Sequence, residues 1–259
     1  MEESATFDRE PWGPVEPEFS PWEIDGEVRH TRVTIGPEGC EEGSERPLTG
    51  VLFAYLDVVA GCPPWGPLNP TIDLRVELFD EPRLGAVRFT SRTLRLGRTL
   101  YVSETQMRQE GAEVPFGISL ATFLNNPVDD LALAGTREER LAARPFPAEH
   151  YRRLTRTRHV RPGCVDLDVD LSSPQGTVGG QTLARLVEVA ALDLLGPPRS
   201  HVVDELDVRF LTRTKQGPIR ATARILGRPG GHVIVGVEVR DLSADDRLTT
   251  YAHVRCRVL

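Results

Sequence analysis

Two acidic residues stand in the middle of strongly apolar segments, where a carboxylate is costly unless it is used or paired. Asp57 lies within TGVLFAYLDVVAG, and Glu188 lies within GGQTLARLVEVAALD. The apolar residues of both segments recur at helical spacing. A carboxylate held on such a helix can act as a general base or form a structural ion pair. For Asp57 we favour catalysis; for Glu188 we favour pairing, because Arg185 lies one helical turn earlier.

These two helical segments belong to an internal repeat. Glu188 lies 131 residues after Asp57, and the two helices align around them without a gap. One further residue of shift brings Asp73 onto Glu205 in the strand-like run that follows each helix. A fixed period indicates one structural unit built twice. Two copies are too few for a solenoid, so we expect a tandem pair of domains packed on each other.

Each copy is predicted to have a strand, a long helix and then a meander of antiparallel strands. The helices are predicted over Thr49–Ala60 and Gly180–Leu195, each stopped by Gly and Pro. The predicted strands are Glu27–Ile35, Thr71–Phe79, Gly85–Leu96, Thr99–Gln109, Val114–Phe123 and Val165–Leu171, then strands starting at Val202, Gly217, Gly231 and Thr249.

The predicted domain limits follow from composition. Residues 1–27 read as an extended arm, 28–124 as the first unit, 125–159 as a connector and 160–259 as the second unit. The connector carries a charged helix, Leu131–Arg144. A helix that is apolar over so wide a face needs burial. The fold class is therefore α+β, with two curled antiparallel sheets, each wrapping a long central helix.

This arrangement and its motifs resemble the hotdog-fold acyl-CoA thioesterases, in particular the PaaI-like branch and the tandem, TesB-like double hotdogs. The motif in that group is a Gly-Gly helix start with an acidic residue eight positions later. Here Gly179-Gly180-Gln181 leads to Glu188, and Leu48-Thr49-Gly50 leads to Asp57. The strand after the helix begins with Thr71 in the first unit and has Val203 at the aligned place in the second. Neither unit has the His that precedes the glycines in the family.

The resemblance implies a site built across the interface between the units, with a carboxylate from one unit and a helix start from the other. One such set is Asp57, Thr71 and the Gly180 amide, which we expect to be catalytic. The other is Glu188, Val203 and the Thr49 amide, which we expect to be degenerate. The residues expected to contact substrate are Gly179, Gln181, Thr49, Gly50 and Arg98, the last near the coenzyme A phosphates.

The implied function is acyl-CoA thioester hydrolysis by carboxylate-assisted attack of water, with no cofactor and no metal. The alternative is a non-catalytic double hotdog that binds an acyl thioester or hydrophobic ligand, or serves in assembly. A hotdog hydratase is less favoured, because Asn69-Pro70-Thr71 lacks the His and Asp that follow in that branch.

Composition limits the partners. A net charge of −7 argues against a nucleic-acid partner, since such binding needs a clustered positive field. No apolar run approaches the roughly 20 residues of a membrane span, and the acidic N-terminus lacks a signal-peptide core. We therefore expect a cytoplasmic protein. The resemblance implies that it binds acyl-CoA or another acyl thioester and forms homo-oligomers. The scattered cysteines Cys40, Cys62, Cys164 and Cys256 read as buried apolar residues.

Overall fold

The computed structural model describes residues 23–40, 44–61, 70–125, 157–167, 178–197, 200–215 and 217–259. The α-helices of this part of the chain are α1 (Thr49–Gly61) and α2 (Gly180–Leu195). Its strands are β1 (Glu23–Asp25), β2 (Val28–Ile35), β3 (Thr71–Leu78), β4 (Gly85–Leu96), β5 (Leu100–Gln109), β6 (Gly117–Leu124), β7 (Thr157–Arg161), β8 (Cys164–Leu167), β9 (His201–Phe210), β10 (Ile219–Gly227), β11 (His232–Asp241) and β12 (Arg247–Val258).

All twelve of these strands form one antiparallel sheet in the order β1-β2-β4-β5-β6-β3-β9-β12-β11-β10-β8-β7. Read outward from the middle, the two halves have the same order, so the repeat in sequence is a repeat in topology. The prediction of two separate sheets is wrong in one respect, because β3 and β9 pair and join the halves. An open edge strand leaves its N–H and C=O groups unpaired, and the pairing of β3 with β9 removes two such edges.

The register of this central pair matches the repeat. Arg75 of β3 lies opposite Asp207 of β9, and 207 − 75 = 132 is the shift that also carries Asp73 onto Glu205. Arg75 and Asp207, which are equivalent in the repeat, therefore face each other at the centre of the sheet, as residues on a two-fold axis between the halves do.

The irregularities of the sheet repeat as well. A bulge interrupts the β4–β5 pairing between Thr93 and Arg95, and another interrupts the β10–β11 pairing between Ile225 and Gly227. Each residue of the second pair lies 132 positions after its counterpart in the first. Since a bulge bends a strand and increases its twist, the two halves share their local curvature as well as their strand order.

Each helix packs against strands of its own half. Helix α1 contacts β3, β4, β5 and β6 and reaches β9, whereas α2 contacts β8 to β12. The helices also cross each other closely, and a Cβ added at Gly50 would lie 3.2 Å from the Arg185 Cα. Within α1 only Asp57 and Val58 are half-buried, and every other residue is buried. The polar carboxylate of Asp57 is thus placed where the apolar helix meets solvent.

Several predicted elements differ from the structure in their limits. Strand β6 begins at Gly117, three residues later than predicted, because the chain up to Phe116 still turns and Val114 is exposed. The short edge strands β1 and β7 were not predicted; β1 falls in the predicted arm, and β7 starts inside the predicted connector. The predicted helix Leu131–Arg144 lies outside the described residues. Neither described helix has the length and apolarity that crossing a bilayer demands.

Candidate functional site

Asp57 and Thr71, which the sequence analysis assigned to one site, lie together. Asp57 is carried on the third turn of α1, and Thr71 is the first residue of β3. The Thr71 hydroxyl donates a short hydrogen bond to Asp57 Oδ1. Both residues are half-buried. A carboxylate held in this way has a fixed orientation, and its two oxygens offer about four acceptor positions in all.

Helix α2 begins at two glycines, Gly179 and Gly180, which allow another group to approach its backbone closely. Its N-cap residue, Gly179, is extended and provides no side-chain capping hydrogen bond. The first N–H groups of a helix have no partner within the helix and carry the positive end of its dipole. The side chain of Gln181 folds back on Gly179. A Cβ added to Gly179 would lie only 3.0 Å from Gln181 Oε1. The backbone N–H groups of this turn can therefore donate hydrogen bonds to another group, and the amide side chain of Gln181 lies beside them.

Aromatic rings form the apolar wall beside this turn. Phe210 ends β9, and its ring lies so close to Gly180 that an added Cβ would be 3.0 Å from the Phe210 Cζ. The Phe210 ring also meets Phe53 of α1 edge to face, with centroids 6.3 Å apart. No sequence motif indicates Phe210 as a residue of this region. The position at the end of a strand gives no indication of it, because the contact with Gly180 depends on how α2 crosses the sheet.

Glu188 makes a closed arrangement on the opposite side of the helix pair. Its Oε1 accepts the Thr49 N–H and its Oε2 accepts the Gly50 N–H, each at 3.0 Å. Arg185 Nη1 donates to Oε2 at 2.6 Å, so the predicted pairing of Arg185 with Glu188 is present. The Glu188 side chain is 2% exposed and that of Arg185 is 11% exposed. The carboxylate of α2 thus caps the N-terminus of α1 directly.

The remaining members of this second set are also in contact. Thr49 Oγ1 donates to the Val203 carbonyl at 3.0 Å, and Arg46 Nη2 donates to the same oxygen at 3.0 Å. A Cβ at Gly50 would lie 2.8 Å from Glu188 Oε2 and 3.2 Å from the Arg185 Cα, so the lack of a side chain at Gly50 favours this close approach of the two helices. The structure therefore brings Glu188, Val203 and Thr49 together, and it fills the space between them with side chains of the protein itself.

Arg98 lies at the same end of the sheet as Thr71. It is exposed in the turn between β4 and β5. Beside this turn, the Asn125 N–H donates to the Thr99 carbonyl, and the Leu124 N–H donates to the Pro70 carbonyl next to Thr71. Strands β5, β6 and β3 are neighbours, so Arg98 stands about two strand spacings, roughly 10 Å, to the side of Thr71.

No protein-family profile matches the chain, and no curated protein sequence matches it. Solved structures do resemble it. The tesB protein of Mycobacterium avium subsp. paratuberculosis has a TM-score of 0.66 at 14% identity, covering 92% of this chain and 95% of that one. A hotdog-fold protein of unknown function from Alicyclobacillus acidocaldarius has a TM-score of 0.61 at 16% identity, covering 92% and 96%. The 12:0-ACP thioesterase from Umbellularia californica has a TM-score of 0.60 at 11% identity, covering 90% and 95%.

These likenesses extend over nearly the whole of each chain, at identities that show the fold alone. The chain has a hotdog fold, and the resemblance to hotdog proteins that include a TesB-named one is confirmed at that level.

Proposed function

We propose that the protein hydrolyses an acyl thioester at a site formed by Asp57, Thr71 and the first turn of α2. The observation that carries the proposal is the contact of Glu188 with the Thr49 and Gly50 N–H groups. It indicates that a carboxylate at this position of one helix can reach the first backbone N–H groups of the other helix. Adding 131 to Thr49 and Asp57 gives Gly180 and Glu188. The equivalent contact would therefore join Asp57 to the first N–H groups of α2.

The difference in side-chain length supports catalysis on the Asp57 side. Aspartate is one methylene shorter than glutamate, which is about 1.5 Å of reach. Glu188 spans the gap between its helix and the other, whereas the shorter side chain of Asp57 is drawn to Thr71. We infer that the Asp57 side leaves space for a thioester carbonyl and a water between the carboxylate and the helix start. The Glu188 side has no such space, in keeping with the expectation of one working site.

The chemistry follows from these groups. Asp57 accepts a proton from water while the water oxygen bonds to the thioester carbonyl carbon. The N–H groups of Gly180 and Gln181, at the positive end of the α2 dipole, stabilise the oxyanion that develops. The intermediate then collapses with cleavage of the carbon–sulfur bond, and the proton held by Asp57 passes to the departing thiolate. Thr71 orients the carboxylate, and the products are a carboxylic acid and a thiol.

We extend the proposal to the two structural units and to the class of substrate. We infer two hotdog units, residues 28–124 and 160–259, each with half of the sheet curled around its own helix. The contacts of α1 and α2 with strands of their own halves support this arrangement. For the substrate we infer an acyl-CoA, with the acyl chain near Phe53 and Phe210 and the phosphates near Arg98. One structural neighbour is a 12:0-ACP thioesterase, which supports a thioester substrate of the same general chemistry.

The test is an acyl-CoA panel of different chain lengths with detection of the free thiol. Asp57→Asn keeps the size of the side chain and should lower kcat by roughly 10²–10⁴-fold, the usual contribution of general-base assistance. The matched control is Asp73→Asn, on the neighbouring strand β3, where the carboxylate pairs with Arg209 at 3.4 Å. Asp73→Asn should keep kcat within a few-fold of the wild type. Equal losses in both variants, or an Asp57→Asn enzyme at full rate, would contradict the proposal.

A second function remains a specific candidate, because the Glu188 side is filled by the protein's own side chains. A double hotdog that has closed one side could have kept the other for binding alone. Wild-type protein that binds an acyl-CoA by calorimetry but releases no thiol across the panel would establish the binding function instead.

A further inference from the structure

An outward-facing row of three arginines crosses the first half of the sheet, far from Asp57. Arg32 of β2 lies opposite Arg88 of β4, and Arg88 lies opposite Arg108 of β5. Directly opposed like charges destabilise a sheet, so such a row needs an explanation. Arg98, at the other end of β5, is ten residues from Arg108, roughly 30 Å along a strand. The row is therefore separate from the proposed thioester site.

The second half of the sheet has the same row with one change. Arg220 of β10 lies opposite Arg240 of β11, and each is 132 residues after Arg88 and Arg108 respectively. The place of Arg32 is taken by Asp166 of β8, directly opposite Arg220.

Asp166 shows what the Arg220 position binds, whereas Arg240 pairs with Glu238 at 2.9 Å and with Asp246 at 3.6 Å. Asp166 accepts hydrogen bonds from Arg220 Nε at 2.7 Å and Arg220 Nη2 at 2.9 Å, and a third from Arg158 at 2.7 Å. The Asp166 side chain is only 1% exposed. Hydrogen bonds from Arg220 are the main cause of a pKa below the usual range for Asp166. In the second half, then, a carboxylate of the chain occupies the oxyanion position beside Arg220.

In the first half, the guanidinium of Arg32 holds the place that the Asp166 carboxylate holds in the second half. Among the described residues, Glu110 lies 3.1 Å from Arg32 and Glu23 lies 3.5 Å from Arg88, and all four side chains are exposed. Arg108 has no ion-pair partner within 4.0 Å among the residues that the structure describes. The row lines a surface cavity of about 210 Å³, completed by the turn after β5. This cavity is large enough for a small oxyanion.

We propose that Arg32, Arg88 and Arg108 bind an oxyanion group of a small ligand, a phosphate or a carboxylate. The guanidinium fork matches both groups bidentately. The ligand supplies in the first half the negative charge that Asp166 supplies in the second.

His30 provides a reporter beside the row. It lies on β2 two residues before Arg32, and its Nδ1 is 3.1 Å from Thr90 Oγ1. Burial, and then the positive charge of Arg88, lower its pKa, while Glu23 and Asp25 act in the opposite direction. An anion bound to Arg88 offsets the charge of that arginine, so binding should raise the pKa of His30.

The experiment titrates the full chain with inorganic phosphate and, separately, with acetate, at low ionic strength and constant chloride. Binding is followed by calorimetry and by the NMR titration of the His30 ring. Arg108→Gln should weaken binding by roughly 10- to 100-fold, the effect of losing a charged hydrogen-bond donor. The matched control Arg240→Gln changes the equivalent residue of the second half and should leave affinity within two-fold. Arg32→Asp recreates the arrangement of the second half and should abolish binding.

The two anions distinguish the ligand chemistry. Tighter binding of phosphate identifies a phosphate-bearing ligand, and tighter binding of acetate identifies a carboxylate ligand; either result supports the site. Binding of neither anion overturns the proposal. So does an equal loss of affinity in Arg108→Gln and Arg240→Gln, which would indicate non-specific attraction to exposed arginines.

Discussion

Replacing Glu188 with glutamine preserves the shape of the side chain and removes the charge shared by the first turn of α1 and Arg185. Glutamate offers two acceptor oxygens here, for the Thr49 and Gly50 N–H groups and for Arg185. Glutamine has one acceptor oxygen, and its NH₂ group must face donors on the other side. The variant therefore loses the ion pair and at least one of the backbone hydrogen bonds.

The expected cost can be worked from burial. Glu188 is 2% exposed and Arg185 is 11% exposed, so water cannot replace the lost partner. Hydrogen bonds to charged groups contribute about 1.5–3 kcal/mol each, and removal of one member of a buried ion pair costs about 3–5 kcal/mol. We expect Glu188→Gln to lower the free energy of unfolding by about 3 kcal/mol. For a chain of this size that corresponds to a Tm lower by roughly 6–12 °C.

Urea unfolding followed by far-UV circular dichroism measures the effect, as a lower midpoint at an unchanged slope. The control is Glu104→Gln, which removes the carboxylate of an ion pair with Arg92 at 3.1 Å, with side chains 26% and 56% exposed. Such a surface pair contributes about 0–1 kcal/mol. If Glu188→Gln lay within about 1 kcal/mol of Glu104→Gln, the carboxylate would not be holding the helix pair together, and our account of the Glu188 side would be wrong.

Three further predictions concern other parts of the molecule. Thr71→Val should lower thioester hydrolysis by roughly ten-fold or more in the free-thiol assay, because Asp57 loses the donor that orients it, whereas Val203→Thr should leave the rate unchanged. Arg220 lowers the pKa of Asp166 in the folded state. The stability that results is present above the unfolded pKa of about 4 and is lost as pH falls through the folded pKa. The difference in urea midpoint between wild type and Asp166→Asn should therefore shrink below about pH 4. Burial raises the pKa of the Cys256 thiol to about 12, so mass spectrometry should find Cys256 unmodified after native alkylation at about pH 8 and modified in urea.

Much of the fold was predictable because the pattern that encodes it occurs twice. Both the limits of α2 and those of β4 agree with the prediction, since Gly and apolar periodicity mark their ends. The edge strands β1 and β7 could not be predicted in this way. Their residues are nearly all exposed, so they carry no apolar alternation and depend on pairing with β2 and β8. The joining of the halves through β3 and β9 likewise depends on which edges meet in space.

The candidate site was predictable as a set of residues but not as a geometry. The spacing of Arg185 and Glu188 gives their ion pair directly, because residues three apart share a helix face. The contact of Glu188 with Thr49 joins residues 139 positions apart and depends on the crossing of the helices. The resemblance supplied that pairing. The placement of Phe210 against Gly180 had no equivalent in the motif, and only the structure provides it.

The pairing of β3 with β9 joins two halves of one chain, so amino-acid substitutions can accumulate in each half independently. In an assembly of two identical chains, every substitution falls on both sides of the symmetry axis at once. Here the halves are covalently tethered, so they meet at a fixed effective concentration, and a substitution alters one side only. Asp57 and Glu188, Thr71 and Val203, and Arg32 and Asp166 are each a pair of equivalent positions that have diverged. Dilution cannot separate the tethered halves as it would a dimer, so one half can change its residues while the other keeps them.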